Sequence, residues 1–179
     1  MDAVADNTPN GITTPIPRSM AIIMSPLISA HIIFGLSGIT SGFVTVAGLF
    51  YRKRLAVWNA VFLSTTAAAC GTGFVFLPID GVTSAQLVAF FLTLLLALAF
   101  YARYLRHLDG SWNQIYVFAA VGALFLNILI AIAQSFLHVP ILKALAPTQH
   151  SPVYVAVKLT LLVVFIMIAL VTARRVGNS

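Results

Sequence analysis

Residues 111–152 read SWNQIYVFAAVGALFLNILIAIAQSFLHVPILKALAPTQHSP, and the fold turns on how this stretch is placed. Trp112 to His138 is long and apolar enough to cross a bilayer, yet it carries Asn127, Gln134 and His138. On a helix those three fall within about 20° of one line. A polar group facing hydrocarbon needs a partner, so this line predicts a face turned towards protein. Pro140 stops the helix. Ser151-Pro152 then opens another apolar run.

Working outward, the remainder has the same character. The chain is 60% hydrophobic and 8% charged, with a mean hydropathy of +1.02. A soluble domain is roughly half apolar and about a quarter charged. The composition therefore predicts an integral membrane protein. Five segments qualify as spans, at about 26–51, 56–77, 84–105, 112–138 and 152–173. The expectation is an all-α bundle of five transmembrane helices forming one domain, 20–179, behind a flexible polar tail, 1–19. The tail is not expected to be a signal peptide, because Asp2 and Asp6 stand where basic residues belong.

Local signals place the boundaries. Ser25-Pro26 predicts a cap followed by proline at the first helical position. Thr83–Gln86 and Ser111–Gln114 each fit a capping box. The third span is the most uniformly apolar and is expected to face lipid most. Arg52, Lys53, Arg54, Arg103, Arg106, Arg174 and Arg175 fall at one side of the five spans, and Arg18 and Lys143 at the other. The positive-inside rule then predicts the N-terminus outside and the C-terminus inside. Tyr51, Trp58, Tyr101, Tyr104 and Trp112 form an aromatic belt on the basic side. The net charge of +6 is read as topology signal and anionic-lipid contact rather than as nucleic-acid binding.

Much chemistry is excluded. The chain has no Glu, and outside the tail its only carboxylates are Asp80 and Asp109, so paired-carboxylate catalysis lacks its groups. The single cysteine, Cys70, allows no internal disulfide and reads as a packing residue. No catalytic residue and no metal site is expected. The candidate polar pocket is His31, Asn127, Gln134, His138 and Lys158, all but Asn127 on the outer half of a span. Each also has a plainer reading. Lys158 can snorkel to the interface. His31 and His138 can be interfacial histidines bonded to backbone or water. Asn127 and Gln134 can be interhelical glue. The sharper reading of the histidines is a pair holding haem b, or a quinone site, with neighbouring glycines making room for a flat ring. Gly35, Gly38 and Gly42 follow His31 along one face and predict close approach of another helix.

Three groups of residues carry a resemblance. Thr72-Gly-Phe74 with Phe76 and Pro78 is the first. Gly110-Ser-Trp112, Ile115-Tyr-Val117 and Leu126-Asn127 form the second. Val139-Pro140, Leu142, Ala144–Gln149 and Pro152 form the third. Over Trp58 to Arg175 the chain resembles a family of small uncharacterised multi-pass inner-membrane proteins of proteobacteria. The resemblance implies a bacterial inner-membrane location and a helical fold, and brings no activity. The expected function is a non-enzymatic accessory or packing subunit, or a binder of a small apolar ligand at the outer leaflet. The alternatives are a haem b- or quinone-binding redox-associated protein and a small transporter or channel. The expected partners are the lipid bilayer and either another membrane protein or a second copy.

Overall fold

The computed structural model describes residues 18–53, 55–75, 84–146, 148 and 150–177. Among these the chain is all-helical: α1 Arg18–Phe50, α2 Ala56–Val75, α3 Ser84–Phe100, α4 Trp112–His138, α5 Pro140–Leu145 and α6 Pro152–Gly177. After Phe100, α3 widens into a π-helical turn, Tyr101–Leu105, in which the Arg106 N–H bonds the Tyr101 carbonyl at 3.0 Å. Four segments are long and apolar enough to cross a membrane: 26–50 within α1, 86–105, α4 and α6. The α2 helix is not among them. Asn59, Ser64, Thr65, Thr66 and Thr72 make it the most hydroxyl- and amide-rich of the long helices.

The α4 helix is the centre of the bundle. It packs against α1, α3 and α6, and Tyr116, Val117, Ala120, Ala123 and Leu124 on it are completely buried. Small residues on this helix let its neighbours come close. The α1 and α2 helices form the most extensive pair, and α3 bridges α2 and α4. The C-terminal ends of α1, α3 and α6 meet the N-terminal ends of α2 and α4 at one end of the bundle, where the Arg175 guanidinium lies 4.1 Å from the Phe50 ring centroid.

Several sequence expectations are corrected here. The α1 helix starts at Arg18 and runs through Pro26 without stopping, so Ser25-Pro26 is not its entry. A proline costs one backbone hydrogen bond, and membrane helices tolerate this when neighbouring groups re-satisfy the carbonyl. The division between tail and bundle thus moves to Arg18, with the preceding residues outside the described part. The capping box at Ser111–Gln114 is not formed, because Ser111 is already helical (φ −63°, ψ −18°) and its side chain caps nothing. Gly110, at φ +53°, makes the reversal instead. The first donors of α4 are met by backbone, Trp112 N–H to Asp109 O and Asn113 N–H to Gly110 O. Thr83, the capping residue of the Thr83–Gln86 box, lies outside the described residues. The most exposed long helix is α6 rather than α3: 11% of its apolar window is buried, against 22% for α3 and 44% for α4. Uniform apolarity alone did not reveal this, because both helices are apolar all round and packing topology decides which lies at the edge.

Pro140 ends α4 as its chemistry requires, since Val139 is extended (φ −89°, ψ 115°) and Pro140 opens α5. The loop after α4 therefore contains a short helix. Ala146 at its end is buried, while Ile141 and Leu145 are exposed.

Candidate functional site

A polar seam runs between α1, α2 and α4, made possible by small residues on α1. A Cβ added at Gly38 would stand 2.9 Å from Thr66 Oγ1 and 3.0 Å from Asn127 Nδ2. At Gly42 it would stand 2.7 Å from Leu124 Cδ1 and 2.9 Å from Phe62 Cε2. Both glycines are where α2 and α4 close onto α1. Gly35 differs: nothing lies within 4 Å of the position its Cβ would take. Within the seam the Asn127 amide donates to Thr66 Oγ1 at 3.4 Å, and both residues are buried. One helical stretch away, the Tyr116 hydroxyl donates to Asn59 Oδ1 at 2.5 Å, and the Asn59 amide donates to the Leu55 carbonyl at 2.9 Å.

At the opposite end of α2, His31 Nδ1 lies 2.9 Å from Thr72 Oγ1. The Thr72 hydroxyl also lies 2.9 Å from the Ala68 carbonyl and 3.0 Å from that of Ala69. A hydroxyl has one proton, and carbonyls only accept. Thr72 thus links the α2 backbone to the His31 ring: with its proton on a carbonyl, its oxygen can accept from His31 Nδ1–H. A Cβ at Gly73 would stand 3.2 Å from His31 Cε1, so a larger residue at that position would crowd the ring.

The other sequence candidates are placed differently. Gln134 and His138 are exposed, so the Asn127–Gln134–His138 line enters the seam only at its Asn127 end. Among the described residues His138 makes no hydrogen bond and shares no partner with His31, and no trio of His, Cys, Asp or Glu is placed to hold a metal. The Lys158 ammonium lies 4.7 Å from the Tyr154 ring centroid, one turn towards the start of α6. That is the direction in which a snorkelling lysine on this helix reaches the interface. Under α5, Phe136, Lys143, Ala146 and Tyr154 line a cavity of about 40 Å³ that none of the five candidate pocket residues borders. It has room for about one water.

A larger cavity, about 230 Å³, opens at the other end of the bundle. Arg52, Lys53 and Arg103 line it with the amides of Asn59 and Asn113, against an apolar wall of Leu49, Leu108 and Val176. Sequence reading assigned those three cations to topology and to general anionic-lipid contact, not to a shared cavity. The signal it passed over was Asn59, a polar residue at the start of α2 one turn beyond a basic triplet. No family model, curated protein or solved structure matches the chain. The polar seam and the basic cavity are therefore interpreted from their own geometry.

Proposed function

We propose that this chain is a non-enzymatic integral membrane protein of five spans, acting as an accessory or packing subunit in a bacterial inner membrane. In this reading α2 is the fifth span, sheltered between α1, α3 and α4, with the N-terminus outside and the C-terminus in the cytoplasm. The observation that carries it is the use made of the in-span polar groups. His31 with Thr72, Asn59 with Tyr116, and Asn127 with Thr66 are joined helix to helix, which is how a bundle secures polar residues in hydrocarbon. The least buried of the four long apolar helices, α6, fits a peripheral position against lipid or a neighbouring subunit. The inner-membrane location is part of the same proposal and follows if the motifs from Trp58 to Arg175 do mark the family they resemble.

The test is purification of the full chain from its native membranes in mild detergent, with size, subunit stoichiometry and absorption spectrum measured together. The reading expects a fixed ratio to one larger assembly and a featureless visible spectrum. A Soret band that disappears in His31→Ala would overturn it in favour of a haem protein. A chain that purifies alone and drives solute flux in proteoliposomes would overturn it in favour of a transporter.

A further inference from the structure

The basic cavity is more organised than a topology signal requires. Positive residues that set orientation need only lie on the correct side, without convergence. Here Arg52 and Lys53 come from the turn after α1, Arg103 from the π-turn after α3, and Asn59 and Asn113 from the first turns of α2 and α4.

Backbone geometry places each cation. Lys53 N–H bonds the Gly48 carbonyl at 2.7 Å and Arg52 N–H that of Leu49 at 3.1 Å, the paired bonds of a Schellman motif. Arg52 occupies the left-handed position of that motif, at φ +58°, where glycine is the usual residue. The second turn is similar: His107 and Leu108 have φ +51° and +63°. A left-handed backbone held by non-glycine residues persists where surrounding structure over-determines it, and such sites concentrate at ligand clamps. The π-turn carries Arg103, whose guanidinium lies 5.7 Å from the Tyr116 ring centroid and 5.8 Å from that of Tyr104. Tyr116 in turn bonds Asn59. One cation and one amide of the cavity are thus held by the same buried tyrosine.

The charge in the cavity is unbalanced. Asp109 is the only carboxylate among the described residues, and it does not line the cavity. Three cations and the Asn113 side chain around this space call for an oxyanion, which both charge and hydrogen-bond donors favour, while Asn59, bonded to Tyr116 and Leu55, is part of the wall. The volume is below the ~300–1,000 Å³ of pockets for drug-sized molecules and well above the ~30 Å³ share of one water. It suits a headgroup.

We propose that the cavity bordered by Arg52, Lys53, Arg103, Asn59 and Asn113 binds the phosphate of an anionic membrane lipid, whose acyl chains run down the exposed apolar helix faces. Basic pockets between helix ends at a membrane surface recognise such headgroups. This inference needs the apolar helices to lie in a bilayer. It does not depend on the direction of the chain or on the accessory role.

The test uses the full chain in nanodiscs of phosphatidylcholine, with and without phosphatidylglycerol, reading thermal midpoint and lipid retention by native mass spectrometry. Phosphatidylglycerol is expected to raise the midpoint and to be retained. Arg52→Gly is the decisive variant, since glycine suits the left-handed position and the turn should survive. Its midpoint in phosphatidylcholine should equal or exceed wild type, while affinity for phosphatidylglycerol falls roughly fivefold. Lys53→Gln should weaken it to a similar extent. Arg174→Gln removes an exposed cation that does not border the cavity and should change nothing. Equal weakening by Arg174→Gln would reduce the effect to diffuse surface charge and overturn the site. Inorganic phosphate should leave the midpoint in phosphatidylcholine unmoved. A shift matching that of phosphatidylglycerol would assign the cavity to a soluble oxyanion and overturn the lipid source.

Discussion

The hydroxyl of Tyr116 and the side-chain carbonyl of Asn59 are joined by a 2.5 Å hydrogen bond that ties α4 to α2 where both residues are almost fully excluded from their surroundings. With Asn59 also bonded to Leu55, the amide is committed on both sides. Removing one partner leaves the other buried and unpaired, the costly half of the hydrogen-bond asymmetry.

Tyr116→Phe is therefore expected to destabilise the bundle by about 1–2 kcal/mol, and Asn59→Leu by a comparable amount. The double variant should lose less than the sum, because neither orphan remains. Unfolding in mixed micelles, followed through a full double-mutant cycle, checks this. Strictly additive losses would mean that the bond contributes nothing.

The glycine face of α1 should respond position by position. Gly42→Leu drives side-chain bulk into Phe62 and Leu124, and Gly38→Leu into Thr66 and Asn127. Each is expected to cost at least the ~1–3 kcal/mol typical of overpacking. Gly35→Leu meets open space and should leave the detergent melting curve unchanged or raise it slightly, as glycine is a poor helix former. A Gly35 variant as damaging as the other two would contradict the packing of α1.

Two hydroxyls invite the opposite outcome. Thr45 Oγ1 and Thr172 Oγ1 are buried and have no hydrogen-bond partner among the described residues. Thr172→Val and Thr45→Val replace an unsatisfied group with a methyl of nearly the same shape. Each should stabilise by on the order of 1 kcal/mol. A lower melting midpoint for both would mean that water or an unseen partner satisfies these hydroxyls.

Orientation is tested separately. The basic residues after α1, α3 and within the last turns of α6 motivate a cytoplasmic C-terminus. A fluorescent reporter fused after Ser179, of a kind that matures only in the cytoplasm, should be bright. A phosphatase fused at the same place should be inactive, and the reverse pattern would invert the topology.

What could be read along the chain was whatever depends on residues a few positions apart. Apolar runs of sufficient length, Pro140 after His138, and cations at the ends of runs all act through the local backbone or the local bilayer. The ends of α2, α4 and α6 accordingly fall within a few residues of expectation. Local signals also misled where a competing local partner existed. Ser111 had the residue type of a cap, but Gly110 took the reversal and left it helical. Pro26 had the residue type of a helix entry, but α1 had already begun at Arg18.

Pairing between helices was decided only in three dimensions. Periodicity showed that Asn127 needed a partner, and it could not choose Thr66. It grouped Gly35 with Gly38 and Gly42, although only the latter two meet another helix. It ranked α3 and α6 by apolarity, whereas the central place of α4 left α6 at the edge. Arg52 and Arg103 stand 51 positions apart in the chain, and nothing local joins them. A bilayer rewards every apolar helix alike, so composition determines only which helices are long and apolar enough to cross one. Only close packing of small residues and the satisfaction of each polar group decide which faces meet.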